Sequence, residues 1–246
     1  MSRTKGKLPP TPLTVAEIRR RLRKHARPQS VPILQRFFKT GPGEYAEGDR
    51  FIGVKVPGVR AVARECRDLS LSRVQKLLRS RVHEERLLAV LILCQAFKVA
   101  SELEQRRLYR FYLAHTAYIN NWDLVDASAS QIIGVWLYSR SKTPLTTLAR
   151  SKSIWERRMA IIATFDYIRR NEFDETLRIA DLLLHDEHDL VHKAVGWLLR
   201  EVGKRDGAVE REYLRTRYKT MPRTMLRYAI ERFPDIERRK YLVGQI

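Results

Sequence analysis

The sequence is short of most features that would place it in a membrane, a secretory route or a redox scaffold. It holds only two cysteines, Cys66 and Cys94, among 246 residues. Both stand in apolar helical contexts without a partner motif, which argues against a disulfide framework and predicts reduced core thiols. No run of about 18 apolar residues occurs, so no membrane-spanning helix is expected. The N-terminus, MSRTKGKLPPTPLTVAEIRRRLRK, has charge but no apolar stretch. A cytoplasmic location is therefore expected rather than a secretory one. Strand alternation is nearly absent, and neither an Asn-Gly hairpin nor a β-α-β rhythm appears. Phosphate-loop, dinucleotide-glycine, nucleophile-elbow, helix-hairpin-helix and zinc-finger spacings are missing as well. Acids are scarce relative to bases: 28 Asp plus Glu against 48 Lys plus Arg, a formal net charge of +20.

What is present is apolar and basic. Apolar residues make up 44% of the chain, too many for a disordered polymer and enough for a full core. A single helical-repeat domain over 1–246 is expected, with about 1–13 as a flexible basic N-terminus. A charge of +20 costs stability through self-repulsion and asks for a polyanionic partner. The bases are 35 Arg and 13 Lys, and the guanidinium fork matches phosphate oxygens two at a time. In blocks of fifty the net charge runs +8, +6, +2, −1 and, for the last forty-six residues, +5. The excess is spread over structured segments, so it predicts a basic surface on the fold and a nucleic-acid partner.

Helical periodicity recurs almost throughout, giving an all-α fold. Thr14 with Glu17 predicts a capping box closed by Pro28, and Ser30 with Pro32 starts VPILQRFFK. Gly41 to Asp49 is turn-rich. Helices are expected near 58–68, 71–79 and 83–99, then from Ser101–Glu104 to about Thr116. Further caps are expected at Asn121, at Ser153 with Glu156, and at Asp189, and Met221-Pro222 begins another helix. Alanines recur near the start of every second helix, at Ala89, Ala127, Ala160, Ala194 and Ala229, with steps of 38, 33, 34 and 35 residues. That period, with two helices per unit, predicts an α-solenoid of HEAT-like repeats. Equivalent helices then line up along one concave, DNA-binding face.

The starts of those second helices carry residues unusual for packing. Asp126 precedes Ala127, Arg158 lies two before Ala160, and Trp197 lies three after Ala194. Trp122 is one turn before Asp126 and faces the same way. A carboxylate in a phosphate-binding groove is repulsive unless it acts there. It can stabilise positive charge developing on a sugar and orient a water, and indole faces attract cations. Asp123 and Asp126 also suit the positive end of a helix, and Trp197 also suits a core, so each residue alone has a structural alternative. Phe38, Lys39, Arg157, Lys193, Arg200, Arg223 and Arg227 fall near repeat edges and could track a DNA backbone. His188 and His192 have i, i+4 spacing near His185, but no Glu stands where a zinc hydrolase would need it, and no metal site is expected.

The segments FFKTGPGEYAEGD, NNWDLVDASA, SIWERRMAI, HKAVGWLLREVGKRD and MPRTMLRYAIERFP resemble the bacterial DNA alkylation repair enzyme family, the HEAT-like-repeat alkylpurine DNA glycosylases of the AlkD type. The resemblance runs from about Ser30 to near the C-terminus. It implies a monofunctional glycosylase that removes cationic alkylated purines such as 3-methyladenine and 7-methylguanine from double-stranded DNA. It also implies an enzyme that needs no metal or nucleotide cofactor and does not draw the base into a pocket. The family's catalytic aspartate corresponds to Asp126 in WDLVD, its two lesion-flanking tryptophans to Trp122 and Trp197, and its arginine to Arg158 in WERR. Some relatives carry a tyrosine where this chain reads Phe37-Phe38, which can stack but cannot donate a hydrogen bond. A soluble monomer with no membrane partner is expected. Two other readings remain: a non-catalytic nucleic-acid-binding solenoid, and a protein adaptor, whose groove would carry apolar anchors rather than so many arginines.

Overall fold

The computed structural model describes residues 13–246. The expected basic N-terminal segment falls on residues 1–12 and lies outside the described residues. The helices, in chain order, are α1 (Val15–Arg23), α2 (Val31–Phe37), α3 (Val56–Glu65), α4 (Leu71–Leu78) and α5 (His83–Val99). Next come α6 (Glu102–Leu113), α7 (Trp122–Ala129), α8 (Val135–Leu137), α9 (Thr143–Ala149), α10 (Ile154–Ala163) and α11 (Phe165–Arg169). The last are α12 (Asp174–Leu182), α13 (Asp189–Gly203), α14 (Gly207–Arg217), α15 (Arg223–Ala229) and α16 (Asp235–Val243). Among the described residues the only β pairing is an isolated bridge between Arg50 and Val82. No helix among them is long and apolar enough to cross a membrane.

Packing divides the chain into two units, with the boundary between Ala96 and Phe97 in the last turn of α5. In the first unit, α1 packs on α3 and α4 through Ile18, Leu22, Val59, Val62, Leu77 and Leu78, all at most 1% exposed. The turn-rich stretch before α3 is pinned by one buried carboxylate. Glu84 accepts the backbone N–H groups of Ile52, Gly53 and Val54, which would otherwise be costly orphans. Asp49 is held by Arg86 at 2.6 Å and by His83.

The second unit shows the repeat. Helices α7, α10, α13 and α15 pack each on the next, while α9, α12 and α14 back them. The repeated alanines explain the closeness. Ala160, Ala194 and Ala229 have no exposed surface, and a larger side chain there would hold neighbouring helices apart. Two glycines allow still tighter approach. A Cβ on Gly196 of α13 would stand 2.3 Å from the Met225 carbonyl of α15. One on Gly134 would stand 2.2 Å from the Ala163 carbonyl of α10. Gly134 ends a single π-helical turn, Ser130–Gly134, that joins α7 to α8.

The expected caps at Thr14, Ser101 and Asn121 form, each side chain accepting a backbone N–H. Two expectations are corrected. Ser153 occupies the cap position of α10 but accepts no capping hydrogen bond, and the reciprocal half of the box is missing too, since Glu156 accepts from Thr116 and Ser151. Helix α13 is capped by His188 rather than Asp189, with Nδ1 accepting the Leu190 N–H at 3.1 Å. The helices α9, α12, α14 and α16 fall outside the ranges expected from the sequence.

Candidate functional site

Helices α7, α10 and α13 bring one ionic linkage together in the second unit. Asp126, one turn into α7, receives a bidentate pair from Arg158 of α10. Nε donates to Oδ1 at 2.9 Å and Nη2 to Oδ2 at 2.7 Å. The remaining Arg158 nitrogen, Nη1, donates to the Leu190 carbonyl at the start of α13. Asp126 to Arg158 and Arg158 to Leu190 are both steps of 32 residues. The linkage thus joins equivalent places in three successive repeats, as side-by-side stacking of repeated helices requires.

The electrostatics of the pair are set by burial. The Arg158 side chain is 7% exposed and that of Asp126 20%, so the carboxylate is the half that solvent or a ligand can reach. Burial pushes the Asp126 carboxyl above the usual aspartate value. The Arg158 charge and hydrogen bonds pull it back, and Asp123 on the same turn adds a repulsion that raises it. A carboxylate accepts through roughly four lone-pair sites, so bidentate arginine leaves acceptor capacity on the open side.

The tryptophans occupy different depths. Trp122 is the first residue of α7, half-buried, its backbone N–H capped by Asn121 Oδ1 at 2.8 Å. Trp197 lies two turns beyond Leu190 on α13, half-buried, with its ring 5.7 Å from that of Phe165. Its Nε1 donates to Glu201 Oε1 at 3.0 Å, and the same oxygen takes Lys204 Nζ at 2.6 Å. The structure therefore joins Asp126 and Arg158 directly, places Trp122 one turn before Asp126, and sets Trp197 on α13 against Phe165 of α11.

The expected backbone-tracking residues divide into two groups. Lys39, Arg223 and Arg227 are exposed, although Arg223 also donates to the Leu242 carbonyl at 2.8 Å. Lys193 is paired with Asp189 at 2.6 Å. Arg200 is tied to Glu231, and its Nε is buried with no hydrogen-bond partner. Two expectations are corrected here. Phe38 is 8% exposed, stacked on Phe51 at 5.0 Å and against His83, so its ring belongs to the core. The exposed ring of that pair is Phe37, at 61%. Arg157 is spent internally. It donates twice to Asp186 and to the carbonyls of Ser151 and Lys152.

That arrangement exposes residues the sequence did not signal. Asp186 takes Arg157 and the His188 N–H, and the Asp186 carbonyl contacts His192 Nε2. The adjacent pair Arg157-Arg158 thus bolts the turn before α13 to α10, one arginine to a carboxylate and the other to the Leu190 carbonyl. Asp186 stands in the acidic run HDEHD, which reads as solvated surface, and a backbone carbonyl leaves no trace in residue type. His188 and His192 are engaged in this turn, and burial holds the His188 imidazole below its ordinary value. Among the described residues no group of three or more His, Cys, Asp or Glu side chains is placed to hold a metal.

The sequence model for "DNA alkylation repair enzyme" matches residues 18–233. No curated protein matches the chain in sequence. Among solved structures, a predicted DNA alkylation repair enzyme from Enterococcus faecalis superposes with a TM-score of 0.65 at 16% identity. That match covers 86% of this chain and 98% of the other. AlkD2 from Streptococcus mutans gives a TM-score of 0.53 at 18% identity, over 84% of this chain and 98% of its own. The smu.31 protein of Streptococcus mutans UA159 gives 0.52 at 18% identity, with the same coverages. At such identities the likeness establishes the all-α, helical-repeat solenoid fold.

Proposed function

We propose, from the premise that the chain belongs to the DNA alkylation repair enzyme family, that it is a monofunctional DNA glycosylase hydrolysing the N-glycosidic bond of cationic N3- and N7-alkylated purines such as 3-methyladenine and 7-methylguanine. The observation that carries the reading is the Asp126 carboxylate, one-fifth open and locked in orientation by a buried arginine. In a chain of net charge +20 that binds phosphate, a reachable, oriented anion is worth keeping only where positive charge develops.

The chemistry follows from the leaving group. A purine alkylated at N3 or N7 already carries positive charge and departs without protonation, so no general acid is needed. Cleavage leaves oxocarbenium-like charge at C1′. Asp126 stabilises that charge and aligns the attacking water, while Arg158 fixes the carboxylate. Trp122 and Trp197 shield the sugar and favour the cation, and exposed bases such as Lys39, Arg223 and Arg227 hold backbone phosphates. The protein acts on double-stranded DNA in the cytoplasm, as a monomer and without a cofactor. None of the positions Trp122, Asp126, Arg158 and Trp197 is a lysine, so no Schiff-base lyase step is expected.

The test is release of free bases from methylated duplex DNA, identified by chromatography. Asp126→Asn, still folded and still binding duplex, should release 7-methylguanine about 10²–10³ times more slowly, the usual cost of one electrostatic stabiliser. Release at the wild-type rate overturns the role of Asp126. Borohydride trapping of a covalent adduct overturns the monofunctional assignment. A second reading, a non-catalytic nucleic-acid-binding protein, is favoured by one observation: Arg158 engages both Asp126 oxygens, as a purely structural staple would. It predicts salt-sensitive duplex binding with no base released by the wild type.

A further inference from the structure

The first unit carries a cleft that the reading above does not use. It is walled by Val15, Ala16, Arg19 and Arg23 of α1 and by Lys76 and, just past its end, Arg79 of α4. Its volume is about 620 Å³. Four of the six lining residues are cationic and none is acidic. The spacing is regular: Arg19 and Arg23 are one turn apart on α1, and Lys76 and Arg79 are three apart at the end of α4. Each pair therefore shares one helix face, with Cβ atoms about 5–6 Å apart.

Convergent like charges cost free energy unless something offsets them, and helix α1 shows how selectively they are offset. Arg20 and Arg21 turn to Glu17, and Arg21 also to Glu65 at 2.8 Å. Arg19 instead has only its Nε taken, by the buried Glu85 at 2.9 Å. That bond fixes the guanidinium while its two terminal nitrogens remain as donors, so an anion would meet a group whose rotamer entropy is already lost. Arg23 and Lys76 are exposed at the rim. These cations lie on α1 and α4, outside the second-helix row that holds Asp126.

We propose that the α1–α4 cleft is a phosphodiester-backbone site for duplex DNA, built from residues other than those at Asp126. Paired guanidinium and ammonium donors, an apolar floor of only two small side chains and no aromatic platform suit phosphates rather than bases. A site of this kind adds affinity without sequence preference. The proposal rests on DNA being the partner and does not depend on glycosylase chemistry.

The experiment measures binding of an unmodified fluorescent 24-base-pair duplex by polarisation, across 50–300 mM salt. It compares the full chain, the variant Arg23→Ala/Lys76→Ala, and a charge-matched control, Arg106→Ala/Arg110→Ala, on the exposed face of α6. Loss of two phosphate contacts should make the slope of log affinity against log salt shallower by about 2. The control should leave that slope within about half a unit of wild type. Three results overturn the proposal. The cleft variant may keep the wild-type slope, the control may lose as much (so that only net charge matters), or the cleft variant may lose tripolyphosphate binding while keeping duplex binding. If the wild type itself binds no duplex, the DNA reading of the whole protein falls with it. If it binds duplex but releases no base, only the glycosylase reading falls.

Discussion

Replacing Arg158 with methionine removes a buried guanidinium while keeping most of its length. Three donations disappear, two to Asp126 and one to the Leu190 carbonyl. Asp126 is left as an uncompensated charge in a site only one-fifth open. Breaking a buried pair from one side typically costs about 3–5 kcal/mol. Because the carboxylate keeps some solvent, the lower end, about 3 kcal/mol, applies. For a chain of this size that lowers Tm by about 6–12 °C. The penalty must depend on pH. Arg158 is what pulls the Asp126 carboxyl down against burial, so in the variant its folded-state pKa climbs further above the unfolded one. A carboxylate raised in this way is harmless below its unfolded pKa, where it is protonated in both states, and destabilising above its folded pKa. The Tm gap between wild type and variant should therefore be small near pH 4.5 and full near pH 8. Adding Asp126→Asn should recover most of the loss at pH 8, since the orphaned charge is gone. Calorimetry at the two pH values tests this. An equal gap at both, or a double variant less stable than Arg158→Met alone, would refute the assignment of the cost to a stranded Asp126 charge.

Two other consequences are open to measurement. Asp186→Asn weakens the charge-assisted bonds from Arg157 and the hold on the His188 N–H. Amide exchange at His188 and Leu190 should quicken, with a loss of about 1.5–3 kcal/mol, and unchanged protection there would show that the turn is held by other contacts. Burial pushes the Glu210 carboxyl up from 4.5 to about 8, so the folded state holds its proton more tightly than the unfolded chain. That stability is fully present below about pH 4.5 and is lost as pH rises through about 8. Glu210→Gln should flatten the decline in Tm between about pH 4.5 and 8, and an undiminished decline sinks this account.

What was legible in the sequence is local. Thr14, Ser101 and Asn121 cap their helices because a short polar side chain just before the first helical residue accepts a backbone N–H one to three residues on and needs no distant partner. The repeated alanines were readable for the same reason: Ala160, Ala194 and Ala229 are fully buried where stacked helices meet, while Ala127 keeps some exposure. The four positions Trp122, Asp126, Arg158 and Trp197 stand out by register on equivalent helices. The misses all depend on a partner remote in sequence. Phe38 falls near a repeat edge in the sequence, where it could meet DNA, and Phe51 and His83 become its neighbours only when the first unit closes. Arg157 and Arg158 are indistinguishable as letters, yet successive helix positions point about 100° apart. One therefore reaches Asp186 and the other Asp126.

The pairing of Asp126 with Arg158 also bears on which substrate the proposed chemistry favours. At an effective dielectric of about 20, a unit positive charge about 4 Å from the carboxylate gains about 4 kcal/mol. The arginine charge, about 7 Å from the same point when the cation approaches the open side, takes back about 2.4 kcal/mol. The net is about 1.6 kcal/mol, about fifteenfold in rate. In Asp126→Asn the arginine's repulsion stays and the carboxylate's attraction of about 4 kcal/mol goes, about 10³-fold, so electrostatics covers the effect expected of that variant and water alignment by the same carboxylate adds to it. Both contributions act on the sugar, and neither protonates a departing base. Protonating Asp126 would abolish the first and leave Arg158 as a bare cation facing the reaction. Under the proposed chemistry, such a site would cleave only where the base already departs readily, which favours purines carrying positive charge before they bind.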